Sequence, residues 1–198
     1  MTEDFSTYTS VGTLTITDDR VTATNLKSNE NRYLYKDFGS GFFKPGWMFK
    51  FAAWAQYVHV WNHTNPRASI FTLGNNVNVV NGLTGNYVNV LCRTNQTSSA
   101  SYVQIFSNVD SGDVVYIESN TVFYYAITLK SNETELKVYS DAGYSSLVGT
   151  SVCTTSGATY RYLYPLQSYN LGAAYTDTEN VYHDSLQMYR LGGGAIMF

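Results

Sequence analysis

Apolar and polar residues alternate along much of the chain. In FYYAITL, every second residue from Phe123 to Leu129 is aromatic or aliphatic, and in ELKVY the apolar Leu136 and Val138 alternate with charged residues. The runs TLTIT and SLQMY repeat this pattern. A period of two buries one face of a strand and leaves the other face in solvent. No long window shows the three-and-four spacing of an amphipathic helix. The pattern therefore predicts an all-β protein.

Turn-forming residues separate these runs roughly every 8–12 residues or somewhat further apart, which is typical of an antiparallel sandwich or barrel. We expect about twelve to fourteen strands. One open sheet of that size would curl or split, so two packed sheets are favoured. No fixed-period repeat or proline-rich linker interrupts the chain. We therefore predict a single β-sandwich domain over residues 1–191, followed by a glycine-hinged tail at 192–198.

The tail lies within LGGGAIMF, which joins three glycines to a short apolar end. In one hypothesis it is disordered or packs locally. In the other it is an assembly peptide, and Ile196, Met197 and Phe198 insert into a neighbouring copy. If these three side chains stayed in solvent, they would form a small exposed apolar patch of the kind that promotes aggregation.

The amino-acid composition argues against two classes of binding partner, nucleic acids and membranes. Only 14% of the 198 residues are charged, against a usual share of about 25%. The net charge is −3 and the charges are scattered singly, which argues against nucleic-acid binding. The sequence lacks the apolar run of about 18 residues that a membrane span needs. The N-terminal MTEDFSTYTSVGT has no positive start and no apolar stretch, so we expect no secretory signal there.

A family resemblance adds to this picture. The segment FYYAITLKSNETELKVYSDAGYSSLVGTS resembles the centre of the concanavalin A-like lectin and glucanase superfamily, near its laminin-G-like branch. YRYLYPLQSYN and ENVYHDSLQMYRL resemble its last core strands, and DFSTYT with TLTITDDRVTATNL resembles its first elements. The likeness spans most of residues 4–191. It implies a jelly roll whose concave sheet binds glycans in many members, in some of them with calcium at the rim. Similar architectures occur in tailed-phage and environmental proteins.

The enzyme hypothesis finds little support in the residues. Glycoside hydrolysis needs two carboxyl groups that face one another across a cleft. Only Glu133 and Glu135 share strand parity, and they lie beside a predicted hairpin turn. The carboxylate motif of the superfamily's glucanases is absent. His59, His63 and His183 have no zinc-protease spacing and no nucleophile elbow, so we expect structural or surface histidines. We predict no catalytic residues.

Metal and disulfide chemistry are also weakly indicated. Asp18-Asp19, Asp110-x-x-Asp113 and Asp177-x-Glu179 offer oxygens of the kind that calcium prefers, but aspartates in turns commonly bond their own backbone. We expect no cofactor, with Ca²⁺ as the alternative. Cys92 and Cys153 are too few for a disulfide framework. Two buried thiols or a single bridge remain open.

A glycan site requires aromatic faces and hydrogen-bonding groups. Trp54, in FAAWAQY, is the tryptophan we expect to be exposed. In YRYLYPLQSYN, strand parity puts Tyr160, Tyr162, Tyr164 and Leu166 on one face, which we predict to point into the core. The opposite face carries Arg161 and Gln167. The candidate glycan-binding residues are Trp54, Arg161, Gln167 and Asn170.

We therefore predict a non-catalytic structural and adhesion module. The setting that fits best is a virion or extracellular surface, as a capsid-decorating or tail-fibre protein without a classical secretion signal. Its partners would be other copies of itself, neighbouring virion proteins and cell-surface glycans, with no nucleic acid and no membrane span. The alternatives are a free carbohydrate-binding lectin and a divergent polysaccharide hydrolase or lyase.

Overall fold

The computed structural model describes residues 2–27, 30–58, 67–77, 85–94, 101–168 and 178–192. Within these ranges the chain forms one short 3-10 helix, no α-helix and fourteen strands, which confirms the all-β prediction. The strands are β1 (Thr9–Val11), β2 (Thr15–Ile16), β3 (Arg20–Lys27), β4 (Tyr33–Asp37), β5 (Trp47–Val58), β6 (Arg67–Gly74), β7 (Tyr87–Arg93), β8 (Tyr102–Ser107), β9 (Val115–Tyr116), β10 (Val122–Leu129), β11 (Glu133–Tyr139), β12 (Leu147–Thr154), β13 (Tyr162–Ser168) and β14 (Thr178–Arg190). The described ranges contain no helix of the length and apolarity that a membrane crossing requires.

The strands form two antiparallel sheets of seven. Sheet I has the order β1-β4-β13-β6-β7-β8-β9, and sheet II has the order β12-β11-β10-β5-β14-β3-β2. Half of the neighbouring pairs join strands that are not consecutive in sequence, as where β13 lies between β4 and β6. This topology is the two-sheet jelly-roll sandwich that the alternation and the family resemblance predicted.

One hydrophobic core fills the space between the sheets. Along β5, buried residues alternate with partly exposed ones, so Phe49 and Phe51 point inward. They contact Phe71 of sheet I at ring-centroid distances of 4.9 and 5.7 Å. Full burial of an aromatic or aliphatic side chain stabilises the fold by about 1.5–3 kcal/mol. Leu136 and Val138 are also fully buried, as the alternation in ELKVY predicted.

The two cysteines are buried free thiols. Cys92 belongs to β7 of sheet I and Cys153 to β12 of sheet II. Burial raises the pKa of both thiols, that of Cys153 to about 12, so neither forms a thiolate readily. The structure agrees with the hypothesis of two unbridged thiols.

The predicted tyrosine face of YRYLYPLQSYN is wrong in part. Tyr160 lies in the core, but Tyr162 and Tyr164 belong to a separate cluster on the other side of sheet I. Strand β13 begins only at Tyr162, and between Leu163 and Leu166 its pairing with β4 gains one residue. Such a bulge reverses the parity of the residues that follow. Leu163 and Leu166 therefore both face the core.

Strand β6, next to β13, has a matching irregularity. Its pairing with β7 shifts between Ser69 and Phe71, so Ile70 is the extra residue and both Ile70 and Phe71 are buried in the core. The two bulged strands keep a common register, since Tyr164 lies opposite Thr72 and Gln167 lies opposite Ser69. The paired bulges place polar side chains of both strands together on the outer face of sheet I.

Candidate functional site

The outer face of sheet I carries three adjoining groups of side chains, which together form the candidate site. Following the strand order across the sheet, a tyrosine cluster lies on β4 and β13, a polar row crosses β13, β6 and β7, and an arginine hollow lies on β6, β7 and β8. The outer face of a sandwich is usually solvated and unremarkable. Here it holds buried and mutually bonded polar groups.

The tyrosine cluster consists of Tyr33, Tyr35, Tyr162 and Tyr164. Tyr35 stacks on Tyr164 with ring centroids 5.7 Å apart, and Tyr33 meets Tyr164 edge-on at 6.0 Å. The Tyr164 hydroxyl donates to the backbone oxygen of Asn76 at 2.8 Å. Burial raises the pKa of Tyr33 and Tyr164, so their hydroxyls stay neutral. Tyr35 is the half-buried member, whose ring a ligand could reach.

The polar row is a chain of hydrogen bonds between side chains of three strands. Gln167 Nε2 donates to Thr72 Oγ1 at 2.8 Å, and Thr72 Oγ1 donates to Asn89 Oδ1 at 3.1 Å. Asn89 Nδ2 then donates to Ser69 Oγ at 2.9 Å. None of the four side chains is more than 4% exposed. Burying polar groups is costly unless they bond one another, and the shared bonds fix the orientation of each member.

The arginine hollow begins where β6 starts and β7 ends. Arg67 lies directly opposite Arg93 in the antiparallel register, and Tyr102 of β8 lies opposite Arg93. Arg93 Nη1 donates to the Tyr102 hydroxyl at 3.3 Å, and its guanidinium carbon lies 5.4 Å from the Tyr102 ring centre. The open hollow has a volume of about 500 Å³. Its lining includes Arg67, Tyr102, Gln104 and Phe106.

The structure separates the predicted glycan-binding residues. Gln167 belongs to the polar row, whereas Arg161 precedes β13 at the end of sheet I and forms a bidentate ion pair with Asp37 at 2.8 and 2.6 Å. Trp54 lies on the outer face of sheet II. Asn170 is outside the described residues, as are the tail residues Ile196, Met197 and Phe198. The predicted set therefore does not form one site.

Trp54 is partly exposed on sheet II. Its ring stacks on Tyr182 with centroids 5.5 Å apart, and its Nε1 donates to Asn120 Oδ1 at 3.2 Å. Arg20 covers Tyr182 at 4.4 Å and pairs with Asp184. Tyr182 thus occupies one face of the tryptophan, and sheet II shows no polar row of the kind found on sheet I among the described residues.

The described residues that were weighed for catalysis lie away from this face. Glu133 and Glu135 project from β11 in sheet II, where Lys130 Nζ reaches their carboxylates at 2.7 and 3.0 Å. His183 is fully buried, with Nδ1 2.7 Å from the oxygen of Ile70 and its ring stacked on Phe51. His59 and His63 are outside the described residues.

In the acidic turn motif that begins at Asp110, the carboxylate of Asp110 already accepts hydrogen bonds from Thr154 and Ser111. These hydrogen bonds lower its pKa. Asp177 is outside the described residues, and Glu179 is buried inside the sandwich. No three His, Cys, Asp or Glu side chains of the described residues are grouped so that they could hold a metal ion. The absence of a cofactor stays a prediction.

Sequence reasoning missed most of the polar row and the arginine pair. A usable signal was present, since Thr72 and Asn89 interrupt the otherwise apolar runs RASIFTLG and YVNVLCR. Sequence reasoning considered Glu179 only as a calcium ligand and missed its buried position, where the side chain accepts from Thr94 Oγ1 at 3.0 Å. Burial raises the pKa of Glu179 to about 8. Its inward direction follows from its alternation with Val181 and His183, both fully buried.

No protein-family model matches this chain, and no curated protein matches it. Several solved structures do resemble it. The exoplasmic/lumenal domain of VIP36, in a Ca²⁺/Man2-bound form, superposes with a TM-score of 0.62 at 11% identity, over 96% of this chain and 83% of that one. An alginate lyase from Alteromonas sp. 272 gives 0.53 at 10% identity, over 93% and 94%. A functionally unknown Saccharomyces cerevisiae protein gives 0.53 at 11% identity, over 96% and 100%.

At such low identities the likeness shows the fold alone. It confirms a concanavalin A-like jelly roll, which is what the resemblance of the central and closing segments implied.

Proposed function

We propose that the chain is a non-catalytic glycan-binding module that holds its ligand on the outer face of sheet I. The observation that carries the proposal is the pair of half-buried aromatic rings, Tyr35 and Tyr102, at the two ends of this face. The polar row between them is buried, and its mutual hydrogen bonds fix the strands that carry the two rings. Ligand sites typically combine aromatic walls with a few oriented polar groups. The VIP36 domain in its Ca²⁺/Man2-bound form and the alginate lyase support the proposal through the fold that they share with this chain.

The size of the face suits an extended saccharide. The site crosses five neighbouring strands, from β4 to β8. At about 4.8 Å between strands, this distance is about 19 Å. Tyr35 at one end and Tyr102 at the other are half-buried, so each offers part of a ring to a sugar face. Tyrosine is well suited to such contacts because its ring is rigid and its hydroxyl can bond.

The non-catalytic part of the proposal rests on where the acidic groups lie. Glu133 and Glu135 project from sheet II and bind Lys130, so they do not face one another across the candidate site. The finer hypothesis, a multimeric capsid or tail-fibre component on a virion surface, remains a prediction about where such a module works. A free lectin would use the same face.

A glycan array followed by calorimetric titration tests the proposal. We expect Tyr35→Ala and Tyr102→Ala each to weaken binding about tenfold or more, since loss of an aromatic contact costs about 1–3 kcal/mol. Trp54→Ala is the matched control, because it removes a partly exposed aromatic ring from the opposite sheet. Binding that is lost only in Trp54→Ala would place the site on sheet II. If the folded wild-type protein binds no glycan on the array, the glycan-binding proposal is wrong.

A further inference from the structure

An apolar hollow on the lateral side of the sandwich, which we call the lateral hollow, is not part of the candidate glycan site. It lies where β9, the edge strand of sheet I, meets β12, the edge strand of sheet II. The two edges touch at Gly149, where an added Cβ would lie 2.8 Å from Cγ1 of Val115. The lateral hollow has a volume of about 650 Å³, within the range of about 300–1,000 Å³ that is usual for ligand pockets.

The lining of the lateral hollow is largely apolar. Phe123 and Ile117 belong to the hydrophobic core and also line the hollow, so the core reaches the surface here. Tyr116 and Val148 line it as well, and they are 64% and 42% exposed. Glu118, Thr121 and Ser140 add polar groups to the lining.

The surroundings of the lateral hollow are also unusually apolar. Five of the nine large apolar side chains that are exposed within the described ranges lie on β9 and β12 or directly beside them, namely Val114, Tyr116, Leu147, Val148 and Val152. Apolar side chains grouped on a surface are typical of an interaction site. The lateral hollow therefore has the character of a receptor for an apolar partner.

The chain itself contains a segment of matching chemistry, residues 193–198. This segment is outside the described residues, and its sequence is GGAIMF. Its glycines permit many backbone conformations, and it carries no charged side chain. Burial of Ile196, Met197 and Phe198 is favourable because it removes apolar surface from water.

The distances exclude the lateral hollow of the same copy as the place where this segment binds. Leu191 N donates to Gly46 O at 2.7 Å, and Gly46 N donates to Leu129 O at 2.8 Å, so the segment leaves two strand spacings from the end of β10. Phe123, in the hollow, lies six residues from Leu129 along β10, which makes the whole separation about 22 Å. Ile196, five residues after Leu191, can reach at most about 18 Å. The three apolar residues cannot enter their own hollow together, but they can enter that of a second copy.

We propose that Ile196, Met197 and Phe198 of one copy insert into the lateral hollow of a second copy. The contact is heterologous, because two different surfaces meet, and repeated contacts of this kind build closed rings or open chains. The lateral hollow is separate from the groups that form the candidate glycan site, so the proposal does not depend on glycan binding. An assembly would nevertheless present several glycan faces at once, and multivalent binding raises avidity.

Complementation between two variants of the full chain tests this contact. Phe198→Asp places a charge in the inserted segment and leaves the hollow intact, whereas Val148→Asp places a charge in the hollow and leaves the segment intact. In analytical ultracentrifugation we expect the wild type to form multimers and each variant alone to associate tenfold or more weakly, because burying an unpaired charge is costly. An equimolar mixture should form dimers that grow no further, since only one intact contact is possible between the two variants.

The matched control is Val109→Asp, which places the same charge at a valine that is 61% exposed and lies outside the lateral hollow. It should assemble as the wild type does. Thr121→Arg puts a larger charged side chain into the same hollow and replaces Val148→Asp if thermal unfolding shows that the latter does not fold.

The other outcomes overturn the proposal in distinguishable ways. If Val148→Asp prevents assembly while Phe198→Asp assembles as the wild type does, the hollow binds another surface of the second copy and the segment is not its occupant. If the mixture of the two variants does not form dimers, the contact is not between segment and hollow. A wild type that stays monomeric at every concentration tested excludes a second copy as the partner.

Discussion

The buried carboxyl group of Glu179 should make the stability of the sandwich depend on pH, and Glu179→Gln should remove that dependence. The side chain is fully buried near the start of β14, where Oε2 accepts from Thr94. Its other oxygen, Oε1, has no hydrogen-bond partner in the described part of the chain. Burial without a countercharge favours the neutral form and raises the pKa from 4.5 to about 8.

The sign and size of the effect follow from proton linkage. Between pH 4.5 and 8 the unfolded chain releases a proton from Glu179 that the folded chain keeps, so the free energy of unfolding falls as pH rises. A difference of about 3.5 pKa units corresponds to about 5 kcal/mol across this window, and to about 3 kcal/mol at pH 7. Glutamine has no proton to lose. The variant should therefore match the wild type within about 1 kcal/mol near pH 4.5 and exceed it increasingly above that pH.

Burial of His183 makes the free energy of unfolding depend on pH in the opposite direction. Burial lowers its pKa from 6.5 to about 4, so the unfolded chain binds a proton in this range that the folded chain does not. Stability is therefore lost as pH falls from 6.5 to 4, by about 3 kcal/mol. In the wild type the contributions of Glu179 and His183 largely cancel between pH 4.5 and 6.5. In Glu179→Gln, the stability should rise up to pH 6.5 and then stay level.

Urea unfolding followed by tryptophan fluorescence at pH 4.5, 6.5 and 8.5 measures these curves. The matched control is Glu133→Gln, which makes the same substitution at a glutamate on the surface of sheet II whose side chain is 45% exposed. We expect the control to follow the wild type at all three values. The reasoning is refuted if Glu179→Gln and the wild type differ by a constant amount, within about 1 kcal/mol, from pH 4.5 to 8.5.

Three further predictions address packing and assembly. Gly112→Ala should destabilise the fold by about 1–3 kcal/mol in chemical denaturation, because a Cβ there would lie 2.7 Å from the backbone nitrogen of Val152; an unchanged midpoint contradicts the close packing. Cys92 and Cys153 should react with a thiol reagent only after unfolding, since both are buried; rapid reaction of the native protein would show that one is accessible. If the C-terminal tail docks into a neighbour, deletion of residues 192–198 should abolish multimers in light scattering, and unchanged assembly eliminates that role.

The regular strands were predictable from the sequence because a strict period of two leaves little choice of face. In β10 and β11, the alternation correctly assigned every second residue from Phe123 to Leu129, together with Leu136 and Val138, to the buried face. Turn residues gave the approximate number of strands. The pairing order was not predictable from the same signal, since β13 lies between β4 and β6 and no local pattern specifies such distant neighbours.

Apart from Gln167, the candidate site escaped sequence reasoning because it depends on two irregularities that the alternation cannot reveal. The bulge in β13 brings Gln167 to the outer face that Tyr164 shares, and the bulge in β6 sets Ser69 and Thr72 beside it. Pro165, within the bulged stretch, was a local hint, because proline has no N–H for a ladder bond. A bulge on one strand alone would have broken the register between neighbours. Two bulges at matching positions preserve the pairing of β6 with β13 and turn polar side chains of both strands to the outer face. The polar row therefore depends on both strands together and cannot be read from either one alone.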